Sequence, residues 1–156
     1  MLKDMLRNNI KVIDEVSSWE EAIKIASTTL KDGGFIKEEY ISAMLENVVK
    51  NGPYIVIMPG IAMPHSRPED GVLKTGMSLL KLSKNVMFPE EKEVSLIFVL
   101  ATTDPNTHLS LISELTNLLM DDESLEKMFS AKSEEEVLEC ICCLLYTSLM
   151  ARGRRV

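Results

Sequence analysis

The sequence predicts an α/β fold, a mixed β-sheet sandwiched between helices. Two amphipathic helical stretches open the chain, three short apolar runs of β character follow, and three more helical stretches close it. At 156 residues, without an internal repeat or a Pro/Gly-rich linker, such a chain fits a single core.

The first helix is read from its boundaries. Ser17 and Ser18 stand three residues before Glu20 and Glu21, the spacing at which a hydroxyl and a carboxylate cap each other's backbone N–H groups. Trp19, Ala22, Ile23, Ala26 and Leu30 then recur at helical intervals, and Gly33-Gly34 ends the run. A second helix runs from about Lys37 to Lys50, with Tyr40, Ala43, Met44 and Val48 on one face and Gly52-Pro53 behind it. Tyr54–Met58, Met77–Leu82 and Val94–Leu100 are the β runs. The last is almost continuously apolar, as expected of a strand covered on both faces. Helical periodicity resumes over Thr107–Met120, Ser124–Phe129 and Ser133–Ile141.

The functional domain is therefore assigned to residues 1–141. Residues 142–156 break the alternation, first very apolar and then basic. A terminal helix and a vector-derived or frame-shifted extension are both open readings of this tail.

Composition narrows the function. Apolar residues make up 46% and charged residues 26% of the chain, enough to build a packed core. The net charge is −7 and no basic run precedes the last few residues, which argues against nucleic acid as a partner. No apolar run reaches the roughly 18 residues that span a bilayer, and Met1–Arg7 lacks the apolar block of a signal peptide. A cytoplasmic protein without membrane insertion is the expectation.

Several local patterns lead nowhere. Cys140 and Cys143 form a C-x-x-C, but no strand-to-helix context or further zinc ligands accompany it. Gly71–Gly76 has glycines and a lysine in the wrong order for a phosphate-binding P-loop. Lys74-Thr75-Gly76 and Ser78-x-x-Lys81 resemble two penicillin-binding elements, in reversed order and in far too short a chain.

The segment Met58–Gly71 is different. It is read as a loop leaving a buried strand, stiffened by Pro59, Pro64 and Pro68, with Gly60 free to take unusual backbone angles. Loops at the ends of core strands are where chemistry is commonly built. His65 lies between Pro64 and Ser66-Arg67, and the other histidine of the chain, His108, follows the Val94–Leu100 run at the start of a helix. Both histidines thus lie just past core strands, whose ends can converge at one sheet edge. A helix start also presents N–H groups that favour a bound phosphate. A phosphate-facing role and a capping or packing role remain open for His108.

Gly60-Ile61-Ala62-Met63-Pro64-His65 resembles the G-x-A-x-P-H signature of the fructose–mannitol class of phosphotransferase-system enzyme IIA domains. The resemblance extends over residues 1 to about 141 and takes in the opening helix pair, the Gly52-Pro53-Tyr54 lead and the His108-Leu109 helix start. Pro64–Val72, followed by Lys74-Thr75-Gly76, is most similar to the branch associated with ascorbate uptake. The resemblance implies the mannitol-type IIA fold and a phosphohistidine intermediate. His65 would take phosphate from the histidine carrier HPr and pass it to a cysteine of a IIB partner, which serves the membrane permease IIC in sugar transport. The protein would be a phosphotransferase, and no cofactor or metal is required. The mannitol branch carries an arginine after Met-Leu-Glu in the second helix; here Met44-Leu45-Glu46 is followed by Asn47, and Arg67 is the substitute.

A histidine suits this task because a neutral imidazole keeps one ring nitrogen unprotonated near neutral pH, provided the other N–H is held by a partner. Phosphoryl transfer passes through a loose, charge-rich transition state, so His108, Arg67 and backbone N–H groups are the expected stabilisers. Ile61 and Met63 fit either an apolar docking rim or the core. Two rival functions stand beside this one: a regulatory binding module phosphorylated on His65, as in the nitrogen branch of the same family, and a metal-dependent hydrolase using His65, His108 and Asp104. The histidine spacing matches no compact ligand motif.

Overall fold

Every residue from Val94 to Ala101 is buried, and this strand is the axis on which the rest is hung. The structure, a computed structural model, describes residues 2–141. In chain order its elements are α1 (Leu2–Leu6), β1 (Ile10–Ile13), α2 (Trp19–Asp32), α3 (Glu38–Asn51), β2 (Val56–Met58), β3 (Gly60–Ala62), β4 (Gly76–Phe88), β5 (Lys92–Ala101), α4 (Pro105–Leu119), α5 (Asp122–Ser130) and a last helix, α6, over 134–141. The five strands form one mixed sheet in the order β1-β4-β5-β3-β2. β1–β4 and β3–β5 are parallel pairs, whereas β4–β5 and β2–β3 are antiparallel.

Strand alternation divides the core into two layers. Leu96, Phe98 and Leu100 of β5 face Leu111 and Leu115 of α4 and Val137 of α6, together with Leu2 and Leu6 of α1. Ile97, Val99 and Ala101 face the opposite way, onto Ile23 and Leu30 of α2 and Met44 of α3. The predicted sandwich of helices around a mixed sheet is the architecture found.

The capping signal that predicts α2 is made at Ser18, the N-cap, while the returning carboxylate bond goes to Ser17, one residue earlier. The Ser18 hydroxyl accepts from the Glu21 N–H at 3.2 Å, and the Glu21 carboxylate accepts from the Ser17 N–H at 2.8 Å. Three elements escape the sequence reading: α1, β1 and β3. α1 is five residues long, too short for helical periodicity to register. β1 is four residues, Ile-Lys-Val-Ile, and gains its strand character only by pairing with β4, Ile10 opposite Leu79.

The segment Met58–Gly71 also differs from the single loop expected. β2 starts only at Val56 and occupies the sheet edge, not its buried centre. After Pro59 the chain re-enters the sheet as β3, beside β5. Gly60 permits this reversal: its φ is +86°, and a Cβ there would lie 3.0 Å from the Phe129 ring. Both the angle and the close approach disfavour larger residues. Ile61 and Met63 lie in the core, with 0% and 4% of their surfaces exposed, so core packing holds and the docking-rim reading fails. Among the described residues no helix is long and apolar enough to cross a membrane. Residue 1 and the tail 142–156, with Cys142 and Cys143, lie outside the described residues.

Candidate active site at the ends of two parallel strands

β3 and β5 are neighbours and run parallel, so the segments leaving their C-terminal ends start side by side. One carries His65 and the other carries Thr102, Asp104 and His108. The two imidazoles lie 5.3 Å apart between centroids, inclined at 51°. That distance is inside the roughly 4–7 Å at which two rings can contact one phosphate, given hydrogen bonds near 3 Å on each side. They share a cleft of about 320 Å³ walled also by Asn47, Tyr54, Ser66 and Arg67.

The His65 ring is fixed from two directions. Its Nδ1 lies 2.8 Å from the Met63 carbonyl oxygen. A carbonyl only accepts, so in the neutral ring Nδ1 carries the proton and Nε2 keeps its lone pair. Tyr54 meets the ring edge-on, with centroids 6.1 Å apart at 86°, a geometry that favours the aromatic quadrupoles.

The backbone around His65 is fastened as well. The Leu100 N–H donates to the Pro64 carbonyl at 3.0 Å. The Ser66 N–H donates to the Tyr40 hydroxyl at 2.9 Å, and that hydroxyl donates to the Leu100 carbonyl at 2.6 Å. The Ser66 hydroxyl accepts from the Asn47 amide at 3.0 Å and donates to the Asp70 carboxylate. That bond, followed by those from Arg67, holds the Asp70 carboxyl below the ordinary carboxylate range. Gly71 closes the segment: its φ is +136°, and a Cβ would lie 3.0 Å from the Tyr40 backbone nitrogen.

His108 stands in the first turn of α4, its Nδ1 in a long contact, 3.4 Å, with the Thr102 hydroxyl. Burial pushes its pKa below the ordinary histidine value, and the adjacent His65 pushes the same way. The neutral imidazole of His108 is therefore favoured.

The start of α4 is not the open anion site that the sequence suggests. Asp104 is the N-cap, and its carboxylate accepts from the Thr107 N–H at 2.8 Å and the Thr107 hydroxyl at 2.7 Å. Pro105 follows at the first helical position and has no N–H to offer. The cap supplies the negative charge that the helix end attracts, so a phosphate in the cleft depends on side chains instead. Arg67 reaches the cleft wall, but its guanidinium is turned toward Asp70 at 3.3 Å and Glu69 at 3.6 Å, and its side chain is 74% exposed. Asn47 occupies the wall with an uncharged amide. Among the described residues no three His, Cys, Asp or Glu side chains are grouped to hold a metal ion, and Asp104 is spent on its cap.

Tyr40, Tyr54 and Ser66 are given no role in the sequence reading of the site. Tyr40 is assigned there to the apolar face of its helix, which is correct. The available signal is its hydroxyl, because a buried tyrosine needs a hydrogen-bond partner.

Residues 5–142 match the family described as phosphoenolpyruvate-dependent sugar phosphotransferase system, EIIA 2. The chain belongs to this family. Two Escherichia coli K12 proteins show how near its members lie. The mannitol-specific cryptic phosphotransferase enzyme IIA component is 41% identical over 86% of this chain and 92% of its own. A solution structure under that description from Escherichia coli superposes with a TM-score of 0.84, at 39% identity over 90% of this chain and 97% of the other. The ascorbate-specific PTS system EIIA component is 39% identical over 90% of this chain and 94% of its own. A complex of the mannitol enzyme IIA with phosphorylated enzyme IIB, also from Escherichia coli, superposes with a TM-score of 0.73 at 32% identity, covering 86% of this chain and 94% of that one. This EIIA chain thus has the mannitol-type fold that its sequence signature implies.

Proposed function

We propose that His65 is the phosphoryl acceptor, and that it reacts through Nε2. The observation that carries this is the Met63 carbonyl on Nδ1, which leaves Nε2 unprotonated beside the His108 ring. In the forward step the Nε2 lone pair attacks phosphorus while the bond from phosphorus to the donor imidazole of HPr breaks. In the onward step a thiolate of the IIB partner attacks phosphorus, and the Nε2–P bond breaks with its electron pair returning to the ring. His108 stabilises the phosphoryl oxygens, and Arg67 adds charge once it leaves Asp70. Donor and acceptor are protein side chains, so the chain's part is alignment and electrostatics. The relay runs in the cytoplasm and ends at a IIC permease.

For the sugar we favour ascorbate or a related compound. The support is the run Pro64–Val72 with Lys74-Thr75-Gly76 and the ascorbate-specific relative; the mannitol-specific relative is similar to the same degree. The test is to phosphorylate the protein with phosphoenolpyruvate and the general carriers, and then offer it IIB domains of the ascorbate and mannitol systems. Faster loss of label to the ascorbate IIB is expected, and faster loss to the mannitol IIB would reverse the assignment. The label itself should be acid-labile and base-stable, as a phosphate on imidazole nitrogen is; a base-labile label would place it on a hydroxyl instead.

A further inference from the structure

We infer that Tyr40 is a positioning residue for the transfer reaction, its hydroxyl setting the orientation and tautomer of His65. This rests on His65 being the acceptor. The hydrogen bonds form a closed circuit. The Leu100 N–H donates to the Pro64 carbonyl, the chain runs through His65 to Ser66, the Ser66 N–H donates to the Tyr40 hydroxyl, and that hydroxyl donates back to the Leu100 carbonyl. His65 is the residue between the two fastened positions. Its ring can keep its bond to the Met63 carbonyl only while the backbone on both sides holds still.

Tyr40 is the one side chain in this circuit, and it arrives from α3. The residue is fully buried, so water cannot replace its hydroxyl. Burial pushes the phenol pKa up to about 12, which keeps the proton available for the Leu100 carbonyl throughout the physiological range. The oxygen is thereby left to accept from Ser66. The far end of the loop is tied to the same helix start, where the Lys37 N–H donates to the Gly71 carbonyl at 2.9 Å. Leu100 also leads directly to Thr102 and His108, so one hydroxyl fixes both halves of the cleft relative to each other. A reacting nitrogen displaced by about an ångström can lose on the order of a hundredfold in rate. A phenyl ring at position 40 would fill the same space but leave the Ser66 N–H and the Leu100 carbonyl without this partner.

The test compares wild type with Tyr40→Phe in two measurements. The first is single-turnover transfer from phosphorylated HPr at increasing carrier concentration. We expect the maximal rate to fall by about tenfold or more, with the half-saturating concentration unchanged, since the docking surface is untouched. The second is the ring ¹⁵N spectrum of His65 in the unphosphorylated protein, read on the folded signals alone so that partial unfolding does not obscure it. Wild type should show the single Nδ1–H tautomer, and the variant a mixture. A wild-type ring spectrum in Tyr40→Phe overturns the inference whatever the rate does, and so does an unchanged maximal rate. A wild-type protein that takes no phosphate at all overturns the phosphocarrier reading instead, a failure the ring spectrum does not share.

Discussion

His65 and Met63 are joined by a hydrogen bond of 2.8 Å between the ring Nδ1 and the main-chain carbonyl two residues earlier. The carbonyl belongs to the residue that follows β3, whose N–H is itself bonded to the Ile55 carbonyl at 2.8 Å. The imidazole is therefore referenced to the sheet and not to a mobile loop. Such pre-organisation matters for phosphoryl transfer, where the protein contributes positioning and charge and little covalent chemistry.

His108 should change its protonation with the state of its neighbour. Burial, followed by the neighbouring His65, lowers its pKa in the unphosphorylated protein. A phosphoryl dianion on His65 would reverse the electrostatic part, since an opposite charge nearby favours imidazolium. NMR titration of the His108 ring should show a value below the ordinary one before phosphorylation and a higher one after it. A lowered folded pKa means that the unfolded chain binds the proton more tightly, so the contribution is present above about 6.5 and lost as pH falls through the folded value. Wild type should lose melting temperature faster than His108→Gln between about pH 7 and pH 5; identical slopes would remove His108 as the source.

Arg67→Ala should leave the fold nearly as stable as before. Its ion pairs with Glu69 and Asp70 are exposed, and such pairs contribute about 0 to 1 kcal/mol. Transfer should nevertheless slow, because removing a charge-stabilising donor costs about 2 to 4 kcal/mol of barrier. Rapid-quench rates within about twofold of wild type would take Arg67 out of the site.

Asp104→Ala should destabilise the protein through α4. The carboxylate caps the Thr107 N–H, and losing such a cap costs about 0.5 to 2 kcal/mol. Denaturant melts measure this directly. A variant as stable as wild type would mean that the cap is replaceable.

Much of this fold could be read from the chain because its long elements repeat their periodicity. The Ser17-Ser18/Glu20-Glu21 spacing, the apolar face of α3 and the almost continuously apolar Val94–Leu100 run each specify an element by themselves. α1, β1 and β3 are three to five residues long and exist because of what they pack against, which no local pattern records. The cleft divides in the same way. His65 and His108 are visible as two histidines past β runs, but the strand that delivers His65 is β3 and not the 54–58 run, and the juxtaposition follows because β3 and β5 are adjacent and parallel. The Tyr40 bridge joins positions 26 and 60 residues away, and the Asp104 cap competes with the anion site that its helix seemed to offer. Both depend on three-dimensional pairing that spacing alone does not carry.

The most direct measurement of the central claim is the mass of the intact protein after incubation with phosphoenolpyruvate and the general carrier proteins, for wild type and His65→Ala side by side. His65 is partly exposed at the cleft and its carbonyl partner remains in place without it, so the variant should fold. The neighbouring His108 imidazole is carried by a different element, its ring centre 5.3 Å away, so it does not occupy the position of the missing nucleophile. Wild type should gain the mass of one phosphoryl group and His65→Ala should gain none. A His65→Ala protein that acquires phosphate at the wild-type rate would contradict the account and place the acceptor elsewhere in the chain.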